Sequence, residues 1–391
     1  MRVGVPTSDS RSSPRLYLVY LARTNGIGEK QRGGLNVAKT CRVSETLTGR
    51  FTRTVILEND QLRCVVLADK GADIYALSFK PRNLDVLWKS PWGFKELGTL
   101  APSAVSSQVA WLDHYEGGWQ EIFPSGGGPA SYLGIEMPFH GELATAPWEY
   151  KILEADGERA TVLFSIRTTR TPFYLERRMT IEAGRPDILF EERLVNEGAI
   201  GLDYMWGHHP AYGAPFLSGR CRLDVPARQI IASARQSDPE RSWLPDGGRF
   251  DWPVIVDRDG QSHDLRQIPG PTQRVNNLGY LVDLDAGWYG LTNEELGVGV
   301  GLVWPKEFFP YVWLWQELNG SFGHPWFGRA YVMGVEIWTS WPGDGLNAAQ
   351  AMGTARHLAA GASETVQFRA VLYESQTGVR EIRPDGEVVL S

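Results

Sequence analysis

The sequence lacks several features that mark common classes of protein. It has three cysteines in 391 residues, with neither the short spacing of a zinc site nor the pattern of a disulfide framework: Cys41, Cys64 and Cys221. An apolar run near the N-terminus, residues 16–22, is far shorter than the ~20 residues that cross a membrane. We therefore expect a cytoplasmic protein with no metal site and no membrane partner.

An excess of positive charge is also absent. Lysine and arginine number 39 against 46 aspartates and glutamates, which gives a formal net charge of −7. Because binding to nucleic acid needs a basic surface, nucleic acid is excluded as the expected partner. A phosphate-binding loop is followed by a helix and contains a Lys-Ser/Thr pair. The glycine run at residues 126–128 is followed by neither. We expect no cofactor, and a neutral small molecule remains compatible with the charge.

Helical periodicity is nearly absent, whereas short β-branched and aromatic runs recur between turn signals. Residues 173–181 alternate apolar and polar side chains, as a half-buried strand does. Residues 346–358 are a candidate short helix, which Gly353 interrupts. Many strands with few crossover helices exclude a parallel α/β fold and predict an all-β protein, a large antiparallel β-sandwich. The other predicted strands are residues 54–57, 62–67, 74–79, 160–167, 188–195, 201–206, 311–315, 330–338 and 366–373.

No clear linker divides the chain. Residues 1–45 show no sustained periodicity and are predicted to form an N-terminal arm or an accessory strand. Residues 46–391 are predicted to form a single sandwich domain. Within it, the segment at residues 238–260 is rich in proline, aspartate and glycine, and we expect an elaborated loop at the rim of the sandwich.

Three segments carry side chains suited to proton transfer. Residues 205–213 read as the end of a strand followed by a turn at Pro210, which would place His208 and His209 on a rigid exit loop. Neighbouring residues of a strand point to opposite faces, so only one of these two histidines can reach a given pocket. The others are His140, before a glycine, and Glu336, the lone carboxylate of an otherwise apolar strand.

These segments, in this order, resemble those of the aldose 1-epimerase, or galactose mutarotase-like, family. Its members carry a histidine before glycine, a second histidine near a strand end, and a late glutamate in a Gly-hydrophobic-Glu strand; His140, His209 and Glu336 match these positions. The spacing from His209 to Tyr212 and the isoleucine after Glu336 differ from the common pattern and indicate a divergent branch. The resemblance covers roughly residues 50–375 and includes residues 53–59, 69–73, 85–89, 117–124 and 195–198.

The resemblance implies a galactose mutarotase-like supersandwich and an isomerase that interconverts the anomers of a hexose or related aldose without a cofactor. Ring opening needs a base for the anomeric hydroxyl and an acid for the ring oxygen. By resemblance, Glu336 is the base, His209 is the acid, and His140 binds the same region or stabilises developing charge. Desolvation in an apolar strand should raise the pKa of Glu336. Each of these residues also has a structural alternative. His140 would be a histidine in a turn, and His208 would be a packed structural histidine. Glu336 would form an ion pair with an arginine such as Arg329.

Further side chains are candidates for contact with the sugar. Aromatic rings stack on the C–H faces of sugars, and amides bind hydroxyls, so the pairs Trp119 with Gln120 and Trp315 with Gln316 are nominated. Arg329 is a candidate cationic contact, and His208 is a further candidate for contact with the sugar. A carbohydrate-binding protein without activity stays open as an alternative. So does a polysaccharide lyase or glycoside hydrolase on the same fold, although a hydrolase needs two carboxylates and one convincing acid stands out.

Overall fold

Strands dominate the part of the chain that the structure describes. The computed structural model describes residues 40–98 and 106–391. Within them, a first antiparallel sheet contains twelve strands, numbered along the chain: β1 (Arg42–Thr48), β2 (Thr52–Glu58), β3 (Leu62–Leu67), β4 (Asp73–Phe79), β5 (Leu84–Asp85), β6 (Trp119–Ile122), β14 (Gly207–Gly213), β16 (Gln229–Ala232), β17 (Arg249–Asp251), β20 (Val275–Val282), β23 (Tyr311–Leu318) and β24 (Tyr331–Trp338). A second antiparallel sheet contains eight: β9 (Glu149–Ala155), β10 (Arg159–Arg167), β11 (Phe173–Glu182), β12 (Asp187–Asn196), β15 (Cys221–Asp224), β21 (Trp288–Asn293), β22 (Val298–Val303) and β26 (Ser363–Glu374).

Short elements accompany the two sheets in the same ranges. The two-stranded pairs are β7 (Ala130–Tyr132) with β8 (Ile135–Met137), β13 (Leu202–Tyr204) with β25 (Arg356–Leu358), β18 (Val254–Val256) with β19 (Ser262–Asp264), and β27 (Val379–Ile382) with β28 (Val388–Leu390). The helices are α1 (Ser107–Asp113), α2 (Leu346–Met352) and two 3-10 turns, Lys80–Arg82 and Leu143–Thr145. None of the helices in the described ranges has the length and apolar character needed to cross a membrane.

The order of strands puts three of them at the centre of the first sheet. That order is β1, β2, β3, β4, β6, β14, β24, β23, β20, β16 and β17, with β5 on β4, and the second sheet runs β15, β21, β22, β26, β12, β11, β10 and β9. Strands β6, β14 and β24 are therefore paired on both sides. Side chains at the centre of a sheet are held more rigidly than those on loops, so this is a suitable platform for a site.

The two sheets pack face to face over one large apolar core. In β24, Met333, Val335 and Ile337 face the second sheet and belong to this core. Successive residues of a strand alternate between faces, so Gly334 and Glu336 point the other way. We call the side of the first sheet that faces the second sheet the inner face, and the opposite side the outer face. The predicted all-β, antiparallel sandwich is confirmed.

Some expectations for individual elements were wrong. The helix predicted over residues 346–358 ends at Met352, because Gly353 adopts a left-handed conformation with φ of 73° and caps it. Residues 356–358 then form β25. Of the strand predicted over residues 201–206, only Leu202–Tyr204 is a strand. The segment at residues 238–260, expected to be a loop, contains β17 and β18.

The N-terminal prediction falls partly outside the described residues. Residues 1–39 lie there, so nothing in the fold bears on an arm at those positions. Strand β1, residues Arg42–Thr48, crosses the boundary expected at residue 45 and pairs along its whole length with β2. The described ranges belong to one compact unit.

Candidate active site

The two adjacent histidines of β14 lie on opposite faces of the first sheet. The ring of His208 packs 4.7 Å from that of Phe368 in the second sheet, which places it on the inner face. The ring of His209 lies 5.5 Å from that of Trp315 and 5.8 Å from that of Tyr115, on the outer face. The alternation of side chains along a strand separates two residues that are neighbours in sequence.

The predicted exit loop for these histidines was wrong. His208, His209 and Pro210 lie inside strand β14, which is fully buried between β6 and β24. The expected turn at Pro210 is absent, because Pro210 pairs with Trp119 of β6 and the strand continues. The pairing of β14 with β24 omits His209 and Pro210 and resumes at Ala211. Proline has no N–H to donate, and at this gap in the ladder none is needed.

Four polar side chains lie side by side across the outer face, one on each of four adjacent strands. We call Asp73, Gln120, His209 and Glu336 the polar row. Gln120 in β6 is directly opposite His209 in β14. The pairing of Ile74 with Trp119 puts Asp73 next to Gln120, and the contact of His209 with Glu336 extends the row to β24. A central sheet thus holds the four groups in fixed relative positions.

His209 and Glu336, the candidate acid and base, are in contact. Nε2 of His209 lies 3.4 Å from Oε1 of Glu336, and both side chains are buried. Trp338 donates a hydrogen bond of 2.9 Å from Nε1 to Oε2 of Glu336. Burial raises the pKa of Glu336 to about 8, which the bond from Trp338 partly offsets. Burial lowers the pKa of His209 to about 4, with a smaller opposing effect of its own backbone.

At neutral pH, Glu336 and His209 therefore share one titratable proton, and in that state the carboxyl and the imidazole are both uncharged. Desolvation penalises the charged form of each group, which is why the two pKa values move in opposite directions. Glu336 carries the proton and His209 is neutral. No ion pair joins Glu336 to an arginine among the described residues, and Arg329, the partner considered for it, is exposed.

His140 reaches the same place from the loop that follows β8. Its ring centroid lies 5.5 Å from that of His209, and burial, followed by His209, lowers its pKa well below the usual value. The residue adopts a left-handed conformation with φ of 60°, which histidine tolerates better than most residues. The backbone N–H of Gly127 donates to Nδ1 of His140 at 3.1 Å. The neutral ring therefore carries its hydrogen on Nε2 and offers it as a donor.

Aromatic rings surround these groups on the outer face. Tyr115 stacks on Trp111 of α1 with centroids 4.5 Å apart, and Trp111 meets the ring of His140 at 4.6 Å. Trp315, which is half-buried, lies against both His209 and Trp326. Such walls provide apolar surface and exclude water from His209 and Glu336.

The structure gathers some of the predicted site residues and separates others. It brings together Glu336, His209, His140, Gln120 and Trp315 on the outer face. The others lie elsewhere: Trp119 and His208 in the core between the sheets, Gln316 on the inner face against Asn277 and Met333, and Arg329 exposed before β24.

Sequence reasoning missed several residues of the outer face. Trp111, Tyr115 and Trp338 are in contact with the candidate acid and base, and Asp73 continues the polar row. The sequence does carry a signal for Asp73, because residues 69–73 are one of the segments that resemble the aldose 1-epimerase family. Tyr115 and Trp111 carry no such signal, since a short helix and a loop bring them over the sheet.

A second polar cluster lies on the inner face, around His208. Nε2 of His208 contacts Oε2 of Glu192 at 3.1 Å, and Trp119 donates from Nε1 to Nδ1 of His208 at 3.3 Å. Arg177 pairs with Glu121 at 3.2 Å. We call these residues, with Trp206, which donates to Glu121, the inner cluster.

The inner cluster has the donor set of a metal site but not its protonation pattern. Ligand atoms of Glu121, Glu192 and His208 lie within 4.8 Å of one another. The bond from Trp119 occupies Nδ1 of His208, so the hydrogen of the neutral ring is on Nε2, the nitrogen that a metal would need to have bare. The guanidinium of Arg177 already supplies a positive charge. The cluster therefore fits a hydrogen-bonded network better than a metal site.

Comparison with known proteins agrees with this architecture. A galactose mutarotase-like protein from Clostridium acetobutylicum has a TM-score of 0.59 at 13% identity and covers 86% of this chain and 99% of its own. A candidate aldose 1-epimerase from Klebsiella pneumoniae has a TM-score of 0.64 at 15% identity and covers 85% and 84% of the two chains. At such identities the likeness shows the fold, a galactose mutarotase-like β-sandwich, and not the activity.

The sequence comparisons give a family without an assigned activity. No curated protein sequence matches the chain. Residues 49–371 match the sequence profile of a domain of unknown function, DUF4432. This match includes strands of both sheets and every residue of the polar row. The chain therefore belongs to the DUF4432 family.

Proposed function

We propose that the protein is an aldose 1-epimerase-like isomerase that interconverts the anomers of an aldose without a cofactor. The observation that carries the proposal is the contact of 3.4 Å between His209 and Glu336, on an outer face walled by aromatic rings. The hydroxyl oxygen and the ring oxygen that exchange protons are bonded to one anomeric carbon. An acid and a base must therefore lie within a few ångströms of each other, as these two groups do.

The reaction needs one proton on the pair. As the ring opens, the base takes the proton of the anomeric hydroxyl, the carbonyl forms, the bond from the anomeric carbon to the ring oxygen breaks, and the acid protonates that oxygen. Rotation of the carbonyl and reclosure give the other anomer. In the free protein the raised pKa of Glu336 and the lowered pKa of His209 favour the carboxyl as donor and the imidazole as acceptor. These roles are the reverse of those implied by the resemblance, and reclosure exchanges them again.

His140 would act beside this pair as a hydrogen-bond donor. Because the backbone of Gly127 occupies Nδ1, the neutral ring presents Nε2–H. A donor there stabilises the negative charge that develops on the carbonyl or the ring oxygen. The lowered pKa keeps the ring neutral over the physiological range, so the donor does not become a competing acid.

Saturation-transfer NMR of anomer exchange tests the proposal. The panel comprises neutral, phosphorylated and sulfonated hexoses and pentoses, each with wild type and with Glu336→Gln. Glu192→Gln is the matched control, because Glu192 is also a buried carboxyl whose pKa burial raises to about 8, but it lies in the inner cluster. We expect wild type and Glu192→Gln to accelerate exchange of at least one sugar and Glu336→Gln to lose the acceleration.

Other outcomes separate the alternatives. Sugars that bind without faster exchange would overturn the isomerase and favour a carbohydrate-binding protein. Cleavage of a glycosidic bond in an oligosaccharide of the same sugars would favour the hydrolase or lyase reading. Equal loss of exchange in the two glutamine variants would mean that the outer-face position of Glu336 has no special role.

A further inference from the structure

A buried charged network lies at the end of the polar row away from Glu336. Lys70 contacts Asp73 at 2.5 Å and Glu116 at 2.8 Å, and the three side chains are at most 2% exposed. One ammonium faces two carboxylates, so the network has an excess of acidic groups. Burial, opposed by Lys70 and reinforced by Glu116, raises the pKa of Asp73 well above its usual value. Such an arrangement is costly to bury unless its remaining polar atoms find partners.

Gln120 connects this network to the acid and base. Its Nε2 donates to the carbonyl of Gly117 at 2.7 Å and to Oδ2 of Asp73 at 3.3 Å. The residue lies directly opposite His209 in the adjacent strand. The network and the proposed chemistry therefore belong to one continuous surface on the outer face.

Several buried polar atoms along this surface have no hydrogen-bond partner in the part of the chain that the structure describes. Three of them are Oδ1 of Asp73, Oε1 of Gln120 and the hydroxyl of Tyr115. Leaving a buried polar group unpaired destabilises the folded protein, and roughly nine in ten or more of such groups are paired in native proteins. Three of them on neighbouring side chains indicate a place where a polar ligand supplies the partners.

Tyr115 spans the distance between the two ends of the row. Burial raises the pKa of its phenol, and the charges of Glu336, Glu116 and Asp73 raise it further. Its ring lies 5.8 Å from that of His209. A molecule that contacts the hydroxyl of Tyr115 can therefore reach both the acid and base and the network.

We propose that Asp73, Gln120 and Tyr115 form a hydroxyl-binding subsite for a vicinal diol on the part of the sugar away from the anomeric carbon. This assignment rests on the proposed function for the chemistry at the Glu336 end. A carboxyl, an amide oxygen and a phenol offer the mixture of acceptors and donors that two adjacent hydroxyls need. Lys70 positions the carboxyls and is already paired with them.

The same chemistry selects against anionic sugars at this end. Lys70, the single cation of this network, is already paired with Asp73 and Glu116, so a phosphate or sulfonate beside them would be buried without a cation of its own. The substrate class that fits is a neutral aldose with free adjacent hydroxyls. In the panel we expect neutral sugars to exchange at least tenfold faster than derivatives with an anionic group at the end opposite the anomeric carbon.

Gln120→Met tests the subsite, with Gln316→Met as its matched control. Both glutamines are fully buried in strands of the first sheet, but Gln316 faces the other way and bonds to Asn277. The substrate is the neutral aldose that exchanges fastest, together with its single-deoxy analogues. We expect Gln120→Met to lower kcat/KM for the full sugar about tenfold or more, mainly by raising KM. With the deoxy analogue that lacks the hydroxyl bound by Gln120, the substitution should cause no further loss of kcat/KM.

Tyr115→Phe keeps the test usable if Gln120→Met does not fold. Because the hydroxyl of Tyr115 has no partner among the described residues, its removal should leave the melting temperature unchanged or raised. The same variant should weaken binding of the sugar. A residue that only supports the fold would show the opposite pattern, a lower melting temperature with unchanged binding.

The outcomes also separate this subsite from the proposed function. If no sugar exchanges faster, the isomerase fails, and the subsite is then judged by calorimetric binding of the same neutral aldoses. Weaker binding in Gln120→Met and Tyr115→Phe but not in Gln316→Met supports it. Equal binding in all variants, equal losses for every deoxy analogue, or no binding to wild type would overturn it.

Discussion

His208 and His209 are neighbours in one strand, yet the two faces of the sheet give them different surroundings. On the inner face both ring nitrogens of His208 have partners, Trp119 and Glu192. On the outer face Nδ1 of His209 has no hydrogen-bond partner among the described residues, and Nε2 meets Glu336 at 3.4 Å. Burial lowers the pKa of both rings to about 4.

The difference teaches that a shifted pKa does not by itself mark a catalytic group. Glu192 and Glu336 are both buried carboxyls with pKa values of about 8. Glu192 lies in a cluster that also holds Arg177 and is closed by the second sheet, whereas Glu336 lies under aromatic walls beside His209. The surroundings, more than the titration, assign stability to the inner cluster and chemistry to the outer face.

The largest effect should come from breaking the charge balance of the inner cluster. Arg177→Met leaves Glu121 buried without its cation, and we expect a loss of about 3–5 kcal/mol in the free energy of unfolding. Denaturant unfolding measures the loss. The exchange rate per folded molecule should stay within about threefold of wild type, because the guanidinium of Arg177 and the carboxyl of Glu121 lie on the inner face. A stable variant with no activity would reverse our assignment of the two faces.

Glu336→Gln should have the opposite signature. We expect a loss of turnover of roughly 100-fold, the usual scale for removing a general acid or base. Stability should rise relative to wild type, since burial raises the pKa of this carboxyl from 4.5 to about 8. The stability that Glu336 contributes is present below pH 4.5 and is lost as pH rises toward about 8.

Melting temperatures at two pH values check this sign. The gain of Glu336→Gln over wild type should be smallest below pH 4.5 and largest above pH 8, where the unfolded wild-type chain gains most from ionising the carboxyl. A gain that shrinks as pH rises would contradict the raised pKa.

The pH dependence of turnover should follow the proton on the pair. The active form has Glu336 protonated and His209 neutral, so kcat/KM should fall as pH rises through about 8 and as pH falls through about 4. Either assignment of acid and base gives this profile, because both need one proton on the pair. Difference infrared spectroscopy of wild type against Glu336→Gln locates that proton through the band of a protonated carboxyl. Its absence at pH 6 would place the proton on His209.

The smallest effect should come from His140. It lies beside the pair and offers one hydrogen bond, so His140→Asn should lower kcat by about tenfold without moving either limb of the pH profile. A shift of the profile in this variant would mean that His140 titrates in the reaction. The comparison with Glu336→Gln separates a supporting donor from the acid and base.

The sequence predicted the fold class and the outer-face pair for identifiable reasons. Period-two patterns and scarce helical periodicity are properties of local segments, so the sandwich could be inferred from them. Alternation also shows that His208 and His209 face opposite ways. It does not show which of them faces the core, because that depends on how the second sheet packs against β14.

The remaining errors have similar causes. Pro210 indicates a turn in isolation, and only the pairing with both neighbours shows that β14 continues through it. Trp119 and Gln120 cannot both contact one ligand, because adjacent residues of a strand point to opposite faces. Residues such as Tyr115, brought in by a loop, and Asp73, two strands away, join the site through tertiary packing that no local pattern records.

One measurement tests the central claim most directly: the rate of anomer exchange per folded molecule in His209→Asn and in His208→Asn. The substitutions are identical and the residues adjacent, so only the face differs. The account predicts roughly 100-fold slower exchange for His209→Asn with an ordinary melting temperature. His208→Asn should be less stable but within about threefold of wild type in rate, since it loses hydrogen bonds of the inner cluster. Equal losses in both variants, or a loss confined to His208→Asn, would contradict it.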